Sequence, residues 1–191
     1  MADREFMDDR RRASEEDYFR RKDKELVEKM RQAAAAEKAT SEFSAKTGLS
    51  DPVLIQELQA LGFTPETLSV LPLVPIVEMA WAEGGITPAE RQLLISLARE
   101  RGITDGSPAD RLLAEWMSAQ PRPDEFSRAT RLIRAMLETG AAGGNTPSAE
   151  DLIKYCESIA AASGGIFGIG KISGEERATL AKIAEELKGR R

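Results

Sequence analysis

The sequence predicts an all-α protein in which a long charged N-terminal helix precedes a bundle of about seven short helices with an internal pseudo-repeat. Three observations predict this class. Capping residues followed by proline recur as helix starts, and the apolar positions between them recur at spacings of three and four. No stretch alternates with a period of two, as a half-buried strand would. A length of 191 residues suits one domain plus an appendage.

The N-terminal part is predicted to be one helix. Residues 1–46 carry 12 basic and 12 acidic side chains, and no proline or glycine occurs before Gly48. From Ala13 to Lys46 strong helix formers dominate, and opposite charges stand four residues apart, as in Glu16–Arg20. The apolar stripe is too thin to form a core. We therefore predict residues 1–47 as a helical extension that is either a solvated spacer or a partner-binding arm.

The bundle is predicted over residues 48–191, where most helix starts carry a capping residue and a proline at the first helical position. Thr87 and Ser173 each precede a glutamate by three residues, which is the capping-box pattern. The starts are Asp51-Pro52, Thr64-Pro65, Thr87-Pro88, Ser107-Pro108, Thr146-Pro147 and Ser173. The predicted helices are 52–61, 66–83 (bent or split by Pro72 and Pro75), 88–101, 108–119, 123–139, 148–162 and 174–188.

Composition excludes most enzyme chemistry. The chain has no histidine and a single cysteine, Cys156, so histidine bases, catalytic triads and multi-cysteine zinc sites are ruled out. The segment from Gly165 to Ile172 approaches a phosphate-binding loop but has isoleucine where Ser or Thr is required. A net charge of −5 argues against nucleic-acid binding. With no secretory leader and no membrane span, we expect a cytoplasmic, soluble non-enzyme without membrane insertion.

An internal repeat is predicted from two similar strings. Ile86-Thr87-Pro88-Ala89-Glu90-Arg91 recurs as Ile172-Ser173-Gly174-Glu175-Glu176-Arg177, and the apolar positions downstream keep the same register. Each copy follows a helix that ends in paired glycines. Six extra residues, 166–171, precede the second copy. Two related helix-loop-helix units would explain the pattern.

The first of these strings, with its surroundings, resembles a known family. The segment IVEMAWAEGGITPAERQLLISLARERGI is similar to the signature of the TerB-like (tellurite-resistance protein B) family, and the resemblance covers about residues 50–190. It implies an all-α domain without enzymatic chemistry that is associated with metal or oxyanion stress. It also implies a divalent cation as the candidate ligand, held by Glu78, Glu83 and Glu90, with Glu176 in the second copy.

A structural role is the alternative for two of those glutamates. Glu90 and Glu176 each occupy the third position of a capped helix, where a carboxylate accepts hydrogen bonds from backbone N–H groups. We expect no other cofactor. Cys156 is predicted to be an inert core thiol, Trp81 and Trp116 to be packing residues, and the row Arg128, Arg131 and Arg134 to be a solvated face that could meet an anionic surface.

The N-terminal helix has a resemblance of its own. Ala13-Ser14-Glu15-Glu16-Asp17-Tyr18-Phe19-Arg20-Arg21-Lys22 is similar to the inhibitory segment of the mitochondrial ATPase inhibitor protein. That segment inserts into a catalytic interface of the F1 motor and blocks hydrolysis. The resemblance implies that Glu15 and Glu16 make acidic contacts, that Tyr18 and Phe19 are apolar anchors, and that Arg20 forms a flanking ion pair.

Two functions are therefore predicted. The first is a non-enzymatic TerB-like adaptor or stress-response module that binds a protein through its N-terminal helix, with a divalent metal as a candidate ligand of the bundle. The alternative is an inhibitor or regulator of F-type ATP synthase, acting through the same helix. Because the chain has no histidine, such inhibition would lack the family's histidine-based pH switch.

Overall fold

A computed structural model describes residues 2–139, 147–163 and 172–189, and all regular elements in those ranges are helices. This confirms the all-α bundle. The elements are α1 (Ala2–Thr47), α2 (Pro52–Ala60), a 3₁₀ helix (Leu68–Leu73), α3 (Val74–Ala80), α4 (Pro88–Glu100), α5 (Pro108–Ser118), α6 (Pro123–Thr139), α7 (Ala149–Ser163) and α8 (Gly174–Lys188).

Most helices begin where the capping residues predict. The Asp51 carboxylate accepts a hydrogen bond from the Val53 N–H at 2.8 Å, and the Ser107 hydroxyl accepts one from the Asp110 N–H at 3.1 Å. Such bonds satisfy N–H groups that have no partner within the helix. The predicted cap at Thr146 lies outside the described residues, as do the glycine-rich segment 164–171 and the six extra residues of the second repeat.

The predicted helix 66–83 is split, as its prolines allow. Pro72 lies inside the 3₁₀ helix and Pro75 lies in the first turn of α3. Proline lacks a backbone N–H and clashes with the preceding turn of an α-helix, so one regular α-helix does not continue through both prolines, and Pro75 is accommodated in the first turn of α3. Thr64 and Pro65 open a turn closed by a hydrogen bond from the Thr67 N–H to the Thr64 carbonyl, instead of an α-helix.

The core is built around α3, in which every residue is buried. This helix packs against α6, α7, α8 and α4, and α6 and α7 both pack against α8. A helix surrounded in this way has no solvated face, which explains why its sequence, VPIVEMA, is apolar apart from one glutamate. The exception is Glu78, the one ionisable side chain on this buried helix.

The chain divides into two compact units, Met1–Glu42 and Phe43–Arg191. The last five residues of α1 therefore belong to the second unit, whereas the sequence suggests a boundary at residue 47, where α1 ends. The reason is Phe43, whose side chain is 1% exposed and forms part of the hydrophobic core. Within the same unit Lys46 forms an ion pair with Glu66 at 2.8 Å, and this hydrogen bond lowers the pKa of Glu66 to about 2.

Candidate functional site

The large apolar side chains that the described residues leave exposed are concentrated on one stretch of α1. Five of the six lie on this helix, and the sixth is Val53 on α2. Phe19 and Met30 have the greatest exposed fractions on α1, 63% and 64%. The α1 patch, as we call it, consists of Tyr18, Phe19, Leu26, Val27 and Met30.

The geometry of the α1 patch follows from the helical repeat. At about 100° per residue, Phe19, Leu26 and Met30 fall on one face of α1. The rings of Tyr18 and Phe19 meet edge to face, with centroids 5.9 Å apart and planes at 73°. The Lys22 ammonium lies 5.9 Å from the Tyr18 ring centroid. The patch therefore combines an apolar row with an aromatic pair beside a cation.

All five predicted partner-binding residues lie on α1. Glu15, Tyr18, Phe19 and Arg20 are exposed, and the side chain of Glu16 lies outside the described residues. The two aromatic residues belong to the α1 patch. The patch also contains Leu26, Val27 and Met30, which the resemblance does not include. Leu26 and Met30 belong with Phe19 to the thin apolar stripe that the sequence predicts for this helix, whereas Val27 was not included in it.

Glu78 is a buried carboxylate at the centre of the bundle. Its Oε1 atom accepts a hydrogen bond from the Lys182 ammonium on α8 at 2.7 Å, while Oε2 is buried and has no hydrogen-bond partner among the described residues. Removal from water raises the pKa of Glu78, and the Lys182 contact only partly offsets that rise. The charge of Glu186 raises it slightly further. Glu78 is therefore the buried member of an ion pair whose other member, Lys182, is exposed to solvent.

Glu90 and Glu176 are engaged in capping boxes. The Glu90 Oε2 atom accepts hydrogen bonds from the Thr87 N–H and the Thr87 hydroxyl, both at 2.7 Å. The Glu176 Oε2 atom accepts one from the Ser173 N–H, also at 2.7 Å. Both carboxylates are buried, and desolvation is the main cause that raises the pKa of Glu90, with smaller contributions from the charges of Glu176 and Glu83.

The structure does not assemble the predicted metal ligands into a metal site. Glu78 contacts Lys182, Glu90 caps α4, and Glu83 is exposed in the turn after α3. Within the described ranges, no group of three or more acidic or cysteine side chains could hold a metal ion. A hard cation needs several oxygen ligands that converge on one point. The divalent cation thus stays a prediction from the TerB-like resemblance, with no geometric support.

The remaining residues singled out in the sequence have structural partners. Cys156 is fully buried, its thiol donates to the Pro75 carbonyl at 3.5 Å, and burial raises its pKa, so the reactive thiolate is disfavoured. Trp81 and Trp116 are half-buried, and the Trp81 indole N–H donates to the Trp116 carbonyl at 2.8 Å. Trp116 also meets Phe63 edge to face.

Two features escaped the sequence reasoning. Lys182, the partner of Glu78, lies 104 residues away along the chain, so no local pattern could pair them. The second is a groove between α2 and α6 that includes Val53, Arg128 and Arg131. The buried residues of α2 are Leu54, Ile55 and Leu58. The helical period therefore places Val53 off the core face, and this position could have been recognised as exposed from the sequence.

The described helices include none that is both long enough and apolar enough to cross a membrane. No family model matches this chain, and no curated protein or solved structure matches it either. Both resemblances therefore rest on the residues quoted for them.

Proposed function

We propose that this protein is a non-enzymatic helical adaptor that binds a protein partner through the α1 patch. The observation that carries the proposal is the exposure of five large apolar side chains on one short stretch of α1. The bundle, which leaves only Val53 exposed among its large apolar side chains in the described residues, serves as the folded base.

The energetics favour a helix-in-groove interaction. Full burial of one large apolar side chain contributes about 1.5–3 kcal/mol, so a partner that covers the patch gains a substantial driving force. Amphipathic helices bind hydrophobic grooves through anchors spaced by three, four and seven residues, as Phe19, Leu26 and Met30 are. Aromatic side chains are enriched among the few residues that dominate such interfaces.

The non-enzymatic part of the proposal is supported by the contacts of the buried ionisable side chains. Glu78 is held by Lys182, and Glu90 caps a helix. The thiol of Cys156 lies in the core with a raised pKa. Each of these groups has a structural role. The stress-response part rests on the TerB-like resemblance alone.

Regulation of an F-type ATPase is the second candidate. It is favoured by one observation: the exposed edge-to-face pair, Tyr18 and Phe19, falls inside the segment that resembles the ATPase inhibitor. In this form of the proposal, the partner groove is a catalytic interface of F1. The bundle then acts as a handle or sensor.

Quantitative affinity capture from lysates of the cells that naturally express the protein tests the adaptor proposal. The baits are the wild type, Tyr18→Ala/Phe19→Ala, and the control Arg21→Ala/Lys24→Ala, whose exposed residues lie on the opposite face of α1. We expect one protein to be enriched by the wild type and the control and lost from the aromatic double variant. Equal recovery by all three baits would exclude the α1 patch as the docking surface.

A titration of purified F1-ATPase separates the two candidates. We would measure ATP hydrolysis against full-length protein and against Tyr18→Ala/Phe19→Ala. Inhibition that the double variant loses would identify an ATPase regulator. An unchanged rate at micromolar protein would eliminate that candidate and leave the adaptor with another partner.

A further inference from the structure

We propose that the groove between α2 and α6 is a second docking surface, and that it takes an amphipathic helix of a protein partner whose apolar row is flanked by acidic side chains. The groove has a volume of about 490 Å³. Its occupant would differ from the partner of α1, so the adaptor would join two proteins.

The floor of the groove is apolar. Leu132 and Ala135 on α6 contribute to its lining, together with Val53 on α2. Val53 is 63% exposed, and it is the one large apolar side chain that the described part of the second unit leaves exposed. Leu132 is only 4% exposed and belongs to the core, so Val53 and half-buried Ala135 supply the apolar surface that a partner would remove from water.

The rim on α6 is positively charged. Arg128 and Arg131 line the groove one turn apart, and neither makes a hydrogen bond or ion pair with any residue that the structure describes. The next arginine of the row, Arg134, differs because it contacts Glu138 at 3.5 Å. Two guanidinium groups that have no partner among the described residues, next to exposed Val53, are complementary to a helix that carries carboxylates along its apolar row.

The positive charge of the α6 rim contrasts with the net negative charge of the rest of the bundle. Residues 47–191 carry 15 basic and 20 acidic side chains, so the bundle as a whole is acidic. The opposite rim holds Glu57 on α2, which would pair with a basic residue on the far edge of the bound helix. A concave groove between two helices accepts the ridge of a third helix, whereas a flat lipid surface cannot reach its floor.

Binding of a labelled helical peptide tests this proposal with the full-length chain. The probe is an 18-residue amphipathic peptide whose leucine row is flanked by glutamates, and its counterpart carries lysines at those positions. We expect the acidic peptide to bind, more weakly as salt rises, and the basic peptide to bind at least about tenfold more weakly. The Tyr18→Ala/Phe19→Ala chain should bind the acidic peptide equally well, which separates this surface from the α1 patch.

Charge reversal locates the site. Arg128→Glu/Arg131→Glu should weaken binding of the acidic peptide at least about tenfold. Val53→Asn should weaken it without changing a charge. The control, Lys154→Glu/Lys188→Glu, makes the same charge change at exposed positions that do not line the groove. Because Arg128 and Arg131 make no hydrogen bond or ion pair with the residues that the structure describes, their reversal should leave the chain folded, which circular dichroism would verify.

Two results would overturn the proposal, and a vesicle experiment shows what the arginine row recognises in the first case. The acidic peptide could fail to bind, or it could bind the control and the reversed chain alike. If vesicles of phosphatidylglycerol and phosphatidylcholine bind through Arg128 and Arg131 while the peptide does not, the arginine row recognises an anionic membrane surface and not a protein helix.

Discussion

At the scale of single residues, Glu78 shows how the fold accommodates a charge in its core. An isolated buried carboxylate is unfavourable, and it persists when a partner and hydrogen bonds offset the lost hydration. Lys182 supplies that partner with an ammonium that is itself partly solvated, while one carboxylate oxygen accepts no hydrogen bond from any residue that the structure describes. The pair is therefore incompletely compensated, in agreement with the raised pKa of Glu78.

The incomplete compensation predicts a pH-dependent stability. The pKa of Glu78 in the folded state lies above its ordinary value of 4.5, so the folded state holds the proton more tightly than the unfolded state. The unfavourable contribution of the charge is complete above the folded-state pKa and disappears as the pH falls through it. Relative to Glu78→Gln, the wild type should therefore gain free energy of unfolding as the pH falls from neutrality toward the ordinary value of 4.5.

Urea unfolding of both chains across this pH range measures the difference. Lys182→Met provides the control, since loss of the ammonium should raise the pKa of Glu78 further and extend the pH-dependent gain to higher pH. A difference between wild type and Glu78→Gln that does not vary with pH, or that grows as the pH rises, would show that Lys182 fully compensates the charge.

At the scale of elements, helix starts explain most of the architecture. Thr87 and Ser173 open α4 and α8 with the same reciprocal pattern, in which the side chain accepts from the N3 N–H and the N3 glutamate accepts from the cap N–H. Backbone carbonyls at a helix end also accept hydrogen bonds from side chains of other helices. The Arg91 guanidinium donates to the Met117 carbonyl at 2.7 Å near the end of α5, where carbonyls lack partners within the helix.

The capping account predicts matched effects in the two boxes. Thr87→Ala and Ser173→Ala should each lower the free energy of unfolding by about 1 kcal/mol, because each leaves an N–H near the helix start without its acceptor. Thermal or urea unfolding measures both. A loss in one box only would mean that the two starts are not equivalent, contrary to the predicted repeat.

The same glutamates distinguish capping from metal binding. If Glu90 serves only as a cap, millimolar calcium or magnesium should leave the melting temperature of the wild type unchanged, and Glu90→Gln should retain most of the stability because an amide oxygen can also accept the Thr87 N–H bond. A cation-dependent rise in the melting temperature that Glu83→Gln and Glu90→Gln abolish would instead support the metal site expected from the TerB-like resemblance.

At the scale of the whole molecule, the division into two units separates the helix that we propose for binding from the unit that provides stability. The described side chains of α1 before Phe43 are exposed, except for half-buried Thr40, whereas Phe43 lies in the core of the second unit. The last turns of α1 are consequently part of the bundle's folding unit.

Two truncations test this boundary. A chain that begins at residue 39 should melt at nearly the temperature of the full-length protein. A chain that begins at residue 48 lacks Phe43, and the loss of a buried phenylalanine should lower the free energy of unfolding by about 3–5 kcal/mol. Full-length Phe43→Ala should reproduce most of that loss. If both truncated chains melt alike, the last turn of α1 contributes nothing to the bundle.

The sequence predicted what local chemistry determines. Capping residues and prolines located the helices of the bundle to within about a residue for α2, α4, α5, α6, α7 and α8, because those signals act over one turn. It did not predict the inclusion of Phe43 in the core, the pairing of Glu78 with Lys182, or the groove between α2 and α6. Each depends on contacts between elements that are distant along the chain.

For the candidate site too, the sequence identified what depends on neighbouring residues and missed what depends on the tertiary structure. Tyr18, Phe19 and the neighbouring charges could be identified as a motif because they are contiguous. The metal ligands could not be judged in this way, since convergence of Glu78, Glu83 and Glu90 is a property of the tertiary structure. In the structure the buried members of this set serve an ion pair and a helix cap.

The central claim is that one face of α1 docks on a protein. Photo-crosslinking from positions along this helix, in cells that naturally express the protein, tests that claim most directly. A benzophenone amino acid is placed in turn at three positions of the apolar face and at three positions on the opposite face. The apolar face is sampled at Phe19, Leu26 and Met30, and the opposite face at Arg21, Lys24 and Glu28.

The helical period sets the expected result. We predict adducts to one partner protein from the three apolar-face positions and from none of the opposite-face positions, since a helix in a groove turns one side toward its partner. Adducts at all six positions, or at none, would contradict the claim that α1 is a protein-docking helix.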